Sequence, residues 1–237
     1  IRVTSVTGVQ TCALPISFDQ NNSTVTAAMA QQQVRINFPQ ESEQMLNTLI
    51  QKYQEISEVY QQMGCFFMRD EVAMRPFEML VWRRSDKLRV GVAKLIRYQN
   101  KRGGRVQFQD IPKPQQTEWK NILEALRFLL PLEKQIVQIA EQLSQIALKN
   151  NDSETQEYVH SKILPRQTRL IKKICDSIVT LQKNGEGLPE FLFCQHVIEP
   201  VVVKETLKLM QKTPYVYPRY IKNENIPTDR VILPRKL

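Results

Sequence analysis

Between Pro39 and Leu181 apolar side chains return at helical spacing in four successive stretches, and little but an all-helical bundle can bury stripes of that length. The first stretch, about Gln40 to Phe67, carries Leu46, Leu49/Ile50, Tyr53, Ile56, Tyr60, Met63 and Phe67 on one face. The second starts near Pro76, a favourable first-turn position, carries Phe77, Leu80/Val81, Leu88, Val92 and Leu95, and stops at Gly103-Gly104. The third, Thr117 to Lys149, opens with Thr117 as cap and Glu118 in its first turn, and presents Leu126, Leu129/Leu130, Ile136/Val137, Ala140, Leu143 and Ala147. After Asn150-Asn151-Asp152-Ser153, the fourth runs to about Lys183 with Ile163, Leu170/Ile171, Ile174, Ile178 and Leu181 inward.

Helices of this size are about 40–50 Å long at ~1.5 Å per residue, which suits an antiparallel four-helix bundle. The segment Arg105 to Gln116, with Pro112 and Pro114, is the long crossover between the second and third helices, and Leu188 to His196 suits a short fifth helix. Only 7 glycines in 237 residues argue against an all-β or loop-rich chain, and charges interrupt every apolar run too early for a membrane span. The four cysteines (Cys12, Cys65, Cys175, Cys194) show neither zinc spacing nor a disulfide framework, which points to a reducing, cytoplasmic setting. Cys65 and Cys175 fall within the helical patterns, where free cysteine behaves as a small core residue.

The ends differ from the middle. Val6 to Ile16 back-translates to a common sequencing-library adapter, so residues 1–34 divide into an adapter-derived artefact, with a natural leader as the alternative, and a flexible lead-in from Ser17. Residues 35–196 form the bundle domain. Residues 197–237 hold a short apolar run (Val201 to Val203), a candidate helix from Lys204 to Lys212 and then four prolines, so this extension reads as mostly extended or disordered. It would serve as a docking tail or represent out-of-frame read-through.

Two polar residues interrupt the buried stripes: Glu133 on the third helix and Gln167 on the fourth. A lone carboxylate facing a bundle core costs several kcal/mol unless it is paired, protonated or bound to metal. It is either structural or the remnant of a carboxylate metal site.

Seven strings follow one another in order and identify the resemblance: Asn37-Phe38-Pro39-Gln40-Glu41-Ser42-Glu43, Arg69-Asp70-Glu71-Val72-Ala73, Gln99-Asn100-Lys101-Arg102-Gly103-Gly104-Arg105, Gln109-Asp110-Ile111-Pro112-Lys113-Pro114, Leu132-Glu133-Lys134, Leu181-Gln182-Lys183 and Glu190-Phe191-Leu192-Phe193. Over residues 35–196 the chain resembles an animal ferritin, closer to the heavy chain than to the light. The resemblance implies a ferritin-like bundle assembled with other ferritin subunits into a hollow cage that stores iron, and in heavy chains a di-iron ferroxidase centre. Carried over position by position, that centre keeps the third-helix glutamate as Glu133, the associated glutamine as Gln167 and the neighbouring tyrosine as Tyr60. Tyr53 replaces the first-helix glutamate, and Leu88-Arg89-Val90-Gly91 replaces the second helix's Glu-x-x-His.

Neither Glu55 nor Glu58 falls on the inward face to substitute. One carboxylate and one amide do not hold two irons, so the expectation is a subunit without its own ferroxidase activity, binding Fe²⁺ and Fe³⁺ weakly or through co-assembled active subunits. Lys87, Val90 and Ala93 stand where the heavy-chain pattern has mineral-nucleating glutamates, and the resemblance places Glu157 and His160 at the iron channel.

Arg84, one turn before Leu88, is expected to approach Glu133 and stand in for metal as its counter-charge. Pro131 and Pro165 are expected to kink the third and fourth helices beside that site. Two other functions stay open. The net charge of +9 is concentrated in residues 75–105, which carry 10 Lys+Arg and 2 Asp+Glu, so a basic interaction protein binding an anion, phosphate or nucleic acid is one. A decayed gene copy is the other.

Overall fold

The computed structural model describes residues 34–185 and 187–204, and every regular element among them is helical. α1 is Gln40–Phe67 and α2 is Arg75–Lys101, with Pro76 in the first turn as its fixed φ favours. α3 is Ile122–Lys149. We take Ser153–Tyr158, a π-helical turn at Val159–Ile163 and Leu164–Asn184 together as α4. α5 comprises Leu188–Phe193 and a second π turn at Cys194–Ile198, and residues 199–204 continue it.

Side-chain pairings fix the directions. Between α1 and α2, Asn47 meets Gln99, Ser57 meets Ser85, and Tyr53 lies over Gly91, so the two run antiparallel. Glu133 with Gln167 and Ser144 with His160 set α3 antiparallel to α4 in the same way. Arg84 with Gln167 and Tyr98 with Thr155 do so for α2 and α4. α2 and α3 therefore run parallel, and residues 102–121 must travel the length of the bundle to join them. Asn47 holds the start of that crossover, donating to the Arg105 carbonyl at 3.3 Å and accepting from the Gln107 amide at 3.2 Å. The expected antiparallel bundle, its crossover and its fifth helix are all present.

The stripes read from the sequence form the core: Leu46, Leu49, Met63, Leu88, Ile136, Ala140 and Leu143 are all buried to within 1% of complete. Several local expectations fail. α3 does not begin at Thr117; Asn121 is its cap, accepting from the Glu124 amide at 2.8 Å. The preceding turn is pulled inward by buried Trp119, which packs edge-on to Phe66, and buried Glu190 of α5 accepts from the Ile122 amide.

Cys65 is exposed rather than in the core, because it sits on the outer side of α1 between inward-facing Met63 and Phe66. Cys175 is half-buried, while Cys194 is buried, and burial pushes its thiol up to about 12. α3 continues through Pro131 without interruption, its ring facing solvent. Pro165 falls at the first turn that follows the π segment, where a missing N–H matters least.

Helix persists to Lys204, and Val202 is buried, its carbonyl accepting from Arg83 Nη1 of α2, so these residues pack on the bundle rather than extend from it. The adapter-like segment, the lead-in to residue 33, Cys12, the candidate helix beyond Lys204 and the proline-rich tail lie outside the described residues. No helix among the described residues is long and apolar enough to cross a membrane.

Candidate functional site

Glu133 lies midway along α3, completely buried, on the line set by Leu129, Ile136 and Ala140. Its place in that stripe aims the carboxylate at the space between all four helices, and each of the other three sends one polar side chain to it. From α1 the Tyr60 hydroxyl donates to Oε1 at 2.6 Å. From α2 the Arg84 guanidinium clamps both oxygens, Nε to Oε1 at 2.8 Å and Nη2 to Oε2 at 2.7 Å. From α4, Gln167 Nε2 donates to Oε2 and, at 3.1 Å, to the Glu133 carbonyl, while its own oxygen lies 3.3 Å from Arg84 Nη2. The expected approach of Arg84 is thus a two-pronged ion pair, the strongest geometry available to guanidinium and carboxylate.

The electrostatics follow from that contact. Burial works against the Arg84 charge, but the Glu133 carboxylate and its hydrogen bonds outweigh it and raise the guanidinium's pKa. Burial, reinforced by the Glu133 charge, also lifts Tyr60 well above an ordinary phenol, so its hydroxyl stays a donor. Glu133 here is fully spoken for, with four hydrogen bonds to its two oxygens.

The positions at which the resemblance leads one to expect further ligands carry no metal-binding carboxylate or imidazole. Leu88 is completely buried in the core. A Cβ built on Gly91 would lie 2.7 Å from Tyr53 Cε1, so the tyrosine ring occupies the room a side chain on α2 would need. Burial raises the Tyr53 phenol to about 12, with Arg84 pulling the other way. The donor set left facing the bundle centre is one carboxylate, one amide and a phenol, committed to each other and to Arg84, and it does not fit a pair of irons. Glu55 pairs with Lys52 at 2.5 Å, and Glu58 is exposed. No cluster of three or more His, Cys, Asp or Glu able to hold a metal occurs among the described residues.

Glu133, Gln167 and Tyr60 therefore come together, as their places on the stripes imply. Glu157 and His160 lie apart from them, both exposed near the start of α4, where His160 Nε2 is 2.9 Å from Ser144 Oγ. Lys87, Val90 and Ala93 are exposed on α2, and Arg89 there pairs with Asp86 at 2.6 Å. The Tyr53–Gly91 complementarity had no signal beyond a large residue on one helix and a glycine on the next; recognising it requires the α1–α2 register.

The raised phenol gives a pH dependence. A tyrosine whose folded pKa exceeds its unfolded value of 10 stabilises the fold fully below pH 10, and that contribution is lost as pH rises through about 12. Stability is expected to fall across that window, and Tyr53→Phe to make the fall shallower. Urea midpoints at pH 9, 10.5 and 12 check it; parallel curves for parent and variant would contradict it.

Comparison with known proteins finds relatives of this chain. Residues 23–183 match the family model described as Ferritin-like domain. The chain is 37% identical over 165 residues to soma ferritin of Lymnaea stagnalis, covering 70% of this chain and 95% of that protein. It is 37% identical over 166 residues to a ferritin heavy chain of Echinococcus granulosus, covering 70% and 96%. To the oocyte isoform of the ferritin light chain of Xenopus laevis it is 36% identical over 167 residues, covering 69% and 94%.

Proposed function

Because the chain belongs to the ferritin family, we propose that it serves as an iron-storage subunit within a cytoplasmic multi-subunit cage and leaves oxidation of Fe²⁺ to other ferritin subunits. The observation that carries this reading is the Arg84–Glu133 clamp. Among the described residues a guanidinium already neutralises the one carboxylate that faces the bundle centre, and its positive charge repels a metal cation from the same spot. Iron handling then falls to the assembly. Exposed Glu157 and His160 supply metal-attracting groups at the channel, while the exposed face of α2, with Lys87, Val90 and Ala93, contributes little to mineral nucleation.

Aerobic oxidation of Fe²⁺ tests the proposal. The full chain alone is expected to oxidise Fe²⁺ no faster than buffer, followed by ferric absorbance. Co-refolded with an active ferritin heavy chain, it is expected to elute in the same large particle and to lower the rate per subunit in proportion to its share. Rapid oxidation by the chain alone would overturn the claim of inactivity. A chain that never enters a cage, alone or with the heavy chain, would overturn the storage role.

A further inference from the structure

A second feature lies beside the clamp but facing outward between α2 and α4. Immediately before the π turn at Val159–Ile163, Tyr158 stacks on Tyr98, ring centroids 4.0 Å apart and planes 9° from parallel. Next to this pair is a cleft of about 480 Å³ whose apolar walls are Tyr53, Gly91, Leu95, Tyr98, Tyr158 and Ile163. Five cations line it: Lys94, Arg97, Lys101, Lys162 and Arg166. No carboxylate among the described residues does.

Lys101 is engaged by Glu154 at 3.0 Å on the rim, whereas Lys94, Arg97, Lys162 and Arg166 make no ion pair among the described residues. Four cations contributed by two helices line one cleft, and a concave surface of that charge attracts an anion. The volume lies within the usual range of small-ligand sites, about 300–1,000 Å³, and exceeds what a bare inorganic anion would fill. Aromatic and aliphatic walls favour a flat ring, while the cations favour phosphate oxygens.

We propose that this cleft binds a small organic phosphate, a planar ring bearing a phosphate chain, with the ring against the tyrosine and aliphatic walls and the phosphates held by Lys94, Arg97, Lys162 and Arg166. The site uses none of the Glu133 cluster and goes beyond the storage role, so it stands or falls independently of iron oxidation.

Calorimetric titration of the full chain at low salt with ATP, tripolyphosphate and adenosine as probes tests it. ATP is expected to bind saturably, more tightly than tripolyphosphate, and adenosine not at all. Arg97→Ala with Arg166→Ala should weaken ATP binding by more than about tenfold, from the loss of two charge-assisted contacts. Both residues are exposed, so the unfolding midpoint should not move. Lys134→Ala with Lys183→Ala removes the same charge from exposed positions outside the cleft and should leave ATP binding unchanged. Absence of ATP binding, equal weakening by both double variants, or tripolyphosphate as tight as ATP would each overturn the assignment. A short single-stranded oligonucleotide bound more tightly than ATP would overturn it in favour of a nucleic-acid strand.

Discussion

Arg84→Ala is expected to lower stability by about 3–5 kcal/mol, the cost of removing one partner of a buried ion pair. Glu133 is completely buried, and Arg84 supplies two of the four hydrogen bonds to its carboxylate and the only positive charge among the four groups that share them. Tyr60 and Gln167 would remain as neutral donors, unable to balance an ionised oxygen in low dielectric. The pair need not be stabilising against an apolar alternative, since replacing both partners by well-packed hydrophobic residues is often neutral or better. Arg84→Met combined with Glu133→Leu should therefore recover part of what Arg84→Ala loses, the remainder being the cost of the Tyr60 hydroxyl and Gln167 amide left without the carboxylate they donate to. Urea unfolding of the variants in one assembly state measures both effects. An Arg84→Ala protein within about 1 kcal/mol of the parent would mean that the clamp contributes little.

Asp152→Ala should be comparably damaging, at about 3 kcal/mol or more, through a second buried pair near the opposite end of the bundle. Asp152 accepts from Arg102 Nη1 at 2.8 Å and caps α4 through the Thr155 amide at 3.1 Å. Both side chains are nearly inaccessible, at 2% and 7%. Arg102 also donates to the Ile36 carbonyl at 2.7 Å, so one guanidinium ties together the approach to α1, the end of α2 and the start of α4. Asp152→Asn keeps a capping oxygen while removing the charge. It should cost less than Asp152→Ala by about 1 kcal/mol, the usual worth of a cap. Equal losses for the two variants would show that the cap contributes nothing beside the ion pair.

Much of this was readable in the chain because the deciding signals are local. α1 came out at its observed limits, since Pro39 precedes it and an unbroken stripe runs to Phe67. The Arg84–Glu133 pair was legible for a different reason: a carboxylate on an apolar line demands a partner, and Arg84 was the cation on the facing stripe. The start of α3 was not legible. Asn121 prevails over Thr117 because Trp119 packs on Phe66 and Glu190 reaches back from α5, contacts made across long stretches of chain. The π turns were equally hidden, because one extra residue per turn barely disturbs an apolar period over a short window. With the first of them went the Tyr98–Tyr158 stack and the cationic cleft, whose parts lie on two helices and converge only in three dimensions.

The fit of Tyr53 over Gly91 also couples what each of the two positions tolerates. With 2.7 Å between the ring and any Cβ at 91, a side chain installed there must push the tyrosine aside unless something smaller has taken its place. Exchanging the tyrosine first leaves a hollow beside α2 until the second substitution arrives. Each single substitution is uphill, so the two positions are free to change only as a pair.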